Sequence, residues 1–170
     1  MAAQPHDHPD EHLHVDPDNL PGAIYGTLVV LAVLVGAGGH PEWPLWSVLV
    51  LVVATSFVFW LAHVYAGALG RSLHSRRHLD RRMIGDVARH EWPLLQAALW
   101  PSIALLCGVV GFVERERTLL LASLVAIASL FAWGVAYASV KGLGKGGVVL
   151  YGGLNAAFGG VIVILQVLVK

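Results

Sequence analysis

The distribution of charge along the chain constrains its fold more than any other feature of the sequence. Charged residues occur in short segments, separated by apolar stretches of about 18 to 25 residues, long enough to cross a bilayer core as helices. Only 13% of the residues are charged, whereas a water-soluble domain carries about 25%. The backbone N–H and C=O groups of an open strand edge find no hydrogen-bond partners in lipid. The sequence therefore predicts an all-α integral membrane protein, a bundle of about five transmembrane helices, with spans at about 20–38, 45–67, 92–113, 118–140 and 147–169.

The residues before the first span form a separate segment. Residues 1–19 are rich in Asp, His and Pro and hold too few apolar side chains to offset the entropy of ordering, so we predict a disordered tail. The segment also lacks the apolar core of a secretory signal peptide. A solvated acidic tail is the favoured interpretation, and capture of zinc, copper or nickel by imidazoles is the alternative. No cofactor is predicted, and the candidate metal ligands are His6, His8, His12 and His14.

Basic residues indicate the orientation. With five spans, the N-terminal tail and the loops after spans 2 and 4 lie on one side, which holds eight of the eleven Lys and Arg residues. Because basic loops remain in the cytoplasm, we predict a cytoplasmic N-terminus, an extracytoplasmic C-terminus and a location in the cytoplasmic membrane. The preference for Arg over Lys and the abundance of Ala, Val, Leu and Gly favour a bacterial source.

The loop after span 2 has a pattern of its own. Leu79, Met83 and Val87 recur every four residues, and arginines occupy the other faces. This pattern is typical of a basic amphipathic helix on a membrane surface, so we predict contact with anionic lipid headgroups on the cytoplasmic side. A solvated loop without lipid contact is the alternative. No nucleic-acid partner is predicted.

Polar side chains within the spans predict which faces point inward. Ser56, Trp60 and His63 follow one another at steps of four and three residues, so they share one face of span 2. A polar stripe faces other helices rather than lipid, and we expect His63 to form a hydrogen bond with Tyr137. The other polar residues expected in the bundle interior or along a pore are Gln96, Asn155 and Gln166.

Small residues at steps of four predict close helix contacts. They are Gly22 and Gly26 on span 1 and Gly152, Ala156 and Gly160 on span 5. Because such rows bring two helices together, we expect either a homo-oligomer or a complex with another membrane protein. Pro101 lies inside span 3, where its missing N–H predicts a kink.

The inventory of intramembrane polar groups narrows the function. The predicted spans contain no paired carboxylates and no nucleophile beside a base, which hydrolysis or group transfer would need, so no enzyme activity is predicted. His63 is the one histidine at depth in a span, and a titratable group in a membrane favours a transport-like or channel-like role for protons or small cations. The alternative is a non-catalytic accessory or assembly subunit of a larger membrane complex, with His63 serving helix packing.

Overall fold

The computed structural model describes residues 20–75 and 78–169, and all regular structure within these ranges is helical. Five segments of the described chain are long and apolar enough to cross a membrane, which confirms the predicted all-α bundle. The helices are α1 (Leu20–Gly38), α2 (Leu45–Ser75), α3 (Arg81–His90), α4 (Trp92–Gln96), α5 (Leu99–Val109), α6 (Arg115–Val140) and α7 (Lys145–Val169).

Helix α2 is longer than the sequence pattern predicts. It ends at Ser75 rather than near residue 67. The extra turns carry Arg71 and His74, so they project beyond the apolar span. Just before these turns, Val87 of α3 is buried against Val64 and Ala68 of α2. The helix therefore continues past the limit that the sequence pattern predicts.

The third span departs from regular α-helical hydrogen bonding just before Pro101, although Ala97 and Ala98 keep right-handed helical dihedral angles. Its two parts, α4 and α5, are separated at Ala97 and Ala98, one turn before Pro101. Pro101 has no N–H to donate to the carbonyl of Ala97, and its ring presses against that carbonyl. The Ala98 N–H instead bonds the Leu95 carbonyl at 3.1 Å, a tighter three-residue step than an α-helical bond. The proline thus disturbs the hydrogen bonding of a span that still runs as one helical path from Trp92 to Val109.

Helix α1 lies at the centre of the bundle. It contacts α2, α4, α6 and α7, and 44% of its span is buried, compared with 11% for α7. The two largest clusters of buried residues both include α1 and are aliphatic. The fully buried large side chains of these clusters are Val30, Leu31, Leu34, Val48, Val52, Leu105 and Leu130.

Contacts at the two ends of α1 fix which loops share a side. At its beginning, a Cβ on Gly22 would lie 3.9 Å from a carboxylate oxygen of Glu91, at the start of α4. At its end, Arg115 of α6 contacts the carbonyl of His40. Among the described basic residues, Arg117 joins Arg115 at the second end. The first end holds Arg71, Arg81, Arg82, Arg89, Lys141 and Lys145.

Candidate functional site

The polar stripe on α2 is engaged in contacts within the chain. The Ser56 hydroxyl is buried and donates to the carbonyl of Val52 at 2.8 Å. The indole N–H of Trp60 donates to the carbonyl of Ala88 in α3 at 3.3 Å, so this side chain holds the amphipathic helix against α2. Both polar groups therefore have partners without a bound ligand.

His63 is half-buried and bonds within its own helix. Its Nδ1 lies 2.9 Å from the carbonyl of Phe59. Because a carbonyl can only accept, Nδ1 carries the proton in this contact. The imidazole also packs against Tyr25 of α1, with ring centroids 5.3 Å apart. The structure thus ties His63 to the contact between α1 and α2.

Tyr137 has a different neighbour from the one expected. Its ring lies 5.0 Å from that of Tyr151 in α7, and the hydrogen bond of His63 goes to Phe59 instead. Tyr25 contacts His63 and borders the same cavity, of about 350 Å³, as Tyr137.

Two grooves flank the irregular turn of the third span. One, of about 410 Å³, lies between α2 and the third span and is lined in part by Ser56, Gln96 and Ser102. The other, of about 490 Å³, lies between the third span and α6 and includes Gln96, Trp100 and Trp133. The Ser102 hydroxyl oxygen is buried and has no hydrogen-bond partner in the described chain. Gln96, a predicted polar residue, therefore borders both grooves.

Two amide side chains on the spans lack partners in the part of the chain that the structure describes. Gln96 is exposed on the outer surface, and Asn155 of α7 is half-buried. Asn155 lies ten residues after Lys145, about 15 Å along the helix, which is half the thickness of a bilayer core of about 30 Å. An amide at that depth has no water to bond. The side chain of Gln166 lies outside the described residues.

The small-residue rows differ in what they contact. A Cβ on Gly26 would lie 2.6 Å from the Leu94 carbonyl oxygen of α4, and one on Gly152 would lie 2.7 Å from the Phe131 ring of α6. Gly22 makes ordinary contacts, Ala156 is half-buried, and Gly160 has open space around it. Within one chain, the close approach on α7 therefore occurs at Gly152 and not at Gly160.

Sequence reasoning missed Gly134 of α6, which among the described glycines comes closest to the backbone of another helix. A Cβ there would lie 2.4 Å from the carbonyl oxygen of Tyr151 and 2.8 Å from the Cα of Gly152. Gly134 belongs to a row at steps of four with Ala122, Ala126 and Ala138, interrupted by Leu130, so the sequence did carry a small-residue signal for it. Its position opposite Gly152 could be recognised only once the two helices were placed together.

Arg115 is the second residue that sequence reasoning missed. Its guanidinium donates to the carbonyls of Trp43, His40 at 2.8 Å and Ala37 at 3.4 Å. A cation here donates hydrogen bonds to carbonyls at the C-terminus of α1 and in the turn after it, and its charge stabilises the negative end of the helix dipole. The sequence signal for Arg115 was its position at the start of a span, in a charged turn that lies at the same end of the bundle as the turn between the first two spans.

The turn beside Arg115 contains a small polar cluster. The imidazole of His40 stacks on Trp43, with centroids 4.4 Å apart, and its Nδ1 lies 3.1 Å from a carboxylate oxygen of Glu42. A hydrogen bond from its own backbone lowers the pKa of Glu42, and His40 and Arg115 lower it further. This end of the bundle is therefore a polar, cross-linked surface.

Metal binding has no support within the described ranges, where no group of three His, Cys, Asp or Glu side chains is placed to hold an ion. The candidate ligands of the tail, His6, His8, His12 and His14, lie outside those ranges. Comparison with protein families, with curated proteins and with solved structures finds no match for this chain. Its function must therefore be argued from its own geometry.

Proposed function

We propose that this protein is a non-catalytic subunit of a larger membrane assembly, and that it works by lateral association within the bilayer. The observation that carries the proposal is Asn155, an amide near the middle of α7 with no partner among the described residues. An amide left unbonded in an apolar medium costs several kcal/mol. A hydrogen bond across a helix contact in a membrane contributes about 1 to 2 kcal/mol. Association that pairs Asn155 is therefore favourable.

The position of α7 supports the same proposal. It is the least buried of the five spans. Within the described residues, its extensive contacts are made with two helices, α6 and α1. Tyr151, one turn before Asn155, is also partly exposed, so two polar groups lie on one side of the helix. A second polypeptide can reach this surface without displacing any helix of the bundle.

The interior of the bundle supports association over conduction. The buried residues around α1 are aliphatic, and the hydroxyls among them bond to their own helix, as Thr27 does to Ala23 at 2.7 Å and Ser56 does to Val52. A proton or cation path needs a line of polar groups or water. His63, the residue on which a proton path would depend, has its Nδ1 engaged by Phe59.

The orientation belongs to the same proposal. The end of the bundle that holds six of the described basic residues faces the cytoplasm, in the cytoplasmic membrane, and the end with Arg115 and Arg117 faces outward. The basic helix α3 then lies at the cytoplasmic headgroups. A fluorescent reporter that matures only in the cytoplasm should stay dark when it is fused to the C-terminus, and bright fluorescence there would reverse the orientation.

The association is tested by changing Asn155 and weighing the particle. We expect the wild-type chain, extracted from its own membrane in polymer nanodiscs, to be accompanied by a second polypeptide. Asn155→Leu should lower that occupancy by about fivefold to thirtyfold, the factor that corresponds to about 1 to 2 kcal/mol. The matched control is Ser129→Ala, because the Ser129 hydroxyl already bonds the Val125 carbonyl at 2.9 Å. Equal occupancy for Asn155→Leu and wild type would refute the proposal.

A second candidate function, transport, is favoured by the groove between α2 and the third span. Polar groups that line a groove can hold a small substrate, and Gln96 and Ser102 line this one. Purified protein in liposomes should show no proton flux above protein-free liposomes if association is the function. A flux that His63→Ala abolishes would establish the transport function instead.

A further inference from the structure

A shallow groove lies where the end of α3 and the start of α4 meet the middle of α2. It has a volume of about 470 Å³ and is lined by Trp60, Ala88, Arg89 and Trp92. The two indole rings meet edge to face, with centroids 6.4 Å apart. Trp92 is 51% exposed, so the rings form an apolar floor that opens outward, with one arginine at its rim.

The groove is held in shape by the packing of α3. Val87 is buried against α2, and a Cβ on Gly67 would lie 2.9 Å from it. The bond from Trp60 to the Ala88 carbonyl fixes the same contact. Ile84, by contrast, is 42% exposed. Because one apolar side of α3 is used by α2 and another remains open, the helix has the surface of an interfacial helix that enters the lipid.

The arginine at the rim has little internal pairing. The side chain of Arg89 is 87% exposed, and the Asp86 carboxylate lies 3.9 Å away, at the outer limit of an ion pair. Arg82 lies two turns earlier on α3 and is also exposed. A guanidinium can bind a phosphate through two parallel hydrogen bonds. The rim is thus suited to an anion, while the floor is suited to a hydrocarbon chain.

We infer that this groove binds one anionic phospholipid, with its phosphate at Arg89 and part of an acyl chain against Trp60 and Trp92. The inference rests on the proposed placement of this end at the cytoplasmic headgroups. Free phosphate would leave the aromatic floor exposed to water. A phospholipid satisfies both the charge and the apolar surface, and it is present wherever the protein is inserted.

The site is tested by fluorescence quenching with brominated lipids. Full-length protein is placed in phosphatidylcholine bilayers that contain a small fraction of either brominated phosphatidylglycerol or brominated phosphatidylcholine. We expect the anionic lipid to quench tryptophan at about fivefold lower mole fraction, the factor that corresponds to about 1 kcal/mol for one arginine at a membrane surface. Trp92→Phe should reduce the excess quenching.

Arg89→Gln and Arg117→Gln separate a local site from general charge. Arg89→Gln should abolish the excess, whereas Arg117→Gln, which removes an exposed arginine at the other end of the bundle, should preserve it. Equal quenching by the two lipids, or an excess that Arg89→Gln leaves intact, would overturn the inference. So would loss of the excess on addition of millimolar inorganic phosphate, because that result identifies a site for free anions.

The outcome is separable from that of the proposed association. Arg89→Gln should leave the mass of the particle unchanged, and Asn155→Leu should leave the lipid preference unchanged. An unaltered melting temperature of Arg89→Gln establishes that the fold is retained. If Arg89→Gln melts early, Arg89→Lys serves in its place, since it keeps the charge but loses the paired hydrogen bonds and should retain a reduced lipid preference.

Discussion

The contact between α6 and α7 makes a sharp prediction about Gly134. These two helices form the most extensive helix pair of the bundle. A Cβ on Gly134 would lie 2.4 Å from the carbonyl oxygen of Tyr151, 2.7 Å from its carbon and 2.8 Å from the Cα of Gly152. All three atoms belong to the backbone, so no side chain can rotate away. Gly134→Ala must therefore move one helix relative to the other.

The magnitude follows from a comparison with Gly160. Gly160→Ala is the matched control, since a Cβ there would meet nothing within 4 Å. Both substitutions are Gly→Ala inside a helix, so the gain in helix propensity, about 1 kcal/mol in water, is common to both. The difference between them isolates the packing term. Overpacking of this kind costs about 1 to 3 kcal/mol, so we expect Gly134→Ala to be less stable than Gly160→Ala by that amount.

The assay is equilibrium unfolding in mixed detergent micelles, followed by far-ultraviolet circular dichroism. The fraction of denaturing detergent at the midpoint should fall for Gly134→Ala and stay level or rise for Gly160→Ala. If the two variants unfold at the same midpoint, the backbones of α6 and α7 are not in contact at Gly134. The α6–α7 arrangement described above would then be refuted.

Three further predictions concern polar residues. Arg115→Gln should lower the free energy of unfolding by about 1 to 3 kcal/mol, because carbonyls of α1 and the turn after it lose a charged donor. The control, Arg117→Gln, should change the free energy of unfolding by under about 1 kcal/mol. Equal effects of the two substitutions in the same micelle assay would contradict the role of Arg115. His63→Leu should cost under about 1 kcal/mol, because the Phe59 carbonyl still accepts its helical N–H, and a larger loss of midpoint stability would indicate a partner across the bundle. The pKa of Glu42 is lowered in the fold, so the ionised Glu42 stabilises the protein above the pKa of the unfolded state, and this stabilisation is lost as the pH falls through the folded-state pKa. The difference in melting temperature between wild type and Glu42→Gln should therefore shrink as the pH falls over that range. A difference that stays constant would refute the stabilising role of the Glu42 carboxylate.

The five spans could be predicted from the sequence because lipid imposes a simple rule on it. A charged residue inside the bilayer core is costly, so segments such as the charged turn before α6 mark where spans end. The same rule does not set where helices end outside the membrane. Helix α2 continues to Ser75 through turns that carry Arg71 and His74, and local apolarity does not predict such a continuation.

The candidate site was less predictable because hydrogen-bond partners depend on tertiary placement. Helical spacing correctly places Ser56, Trp60 and His63 along one side of α2. It cannot reveal that the Trp60 indole reaches Ala88 or that the His63 ring bonds its own backbone. Whether such a side chain lines a pore or serves packing is decided by these contacts. Some join residues far apart in sequence, as Trp60 and Ala88, and others hold a side chain against its own helix, as His63 and Phe59.

Pro101 shows how a correct local rule can give an incomplete result. The missing N–H predicts a disturbance in the third span, and the disturbance occurs at Ala97 and Ala98, where the affected carbonyl lies. The size of this disturbance depends on how closely the neighbouring helices pack against it. Gly26 of α1 packs against Leu94 and Ala97 at this point, so the backbone of α1 packs directly on the irregular turn.

Photo-crosslinking from position 155 in the native membrane tests the proposed association most directly. A benzophenone amino acid replaces Asn155, and a second variant carries it at Val161, an exposed residue on another side of α7. Illumination of intact membranes followed by mass spectrometry identifies what each position touches. Lateral association predicts a polypeptide adduct at position 155 and a predominance of lipid adducts at position 161. Lipid adducts alone at both positions would contradict it.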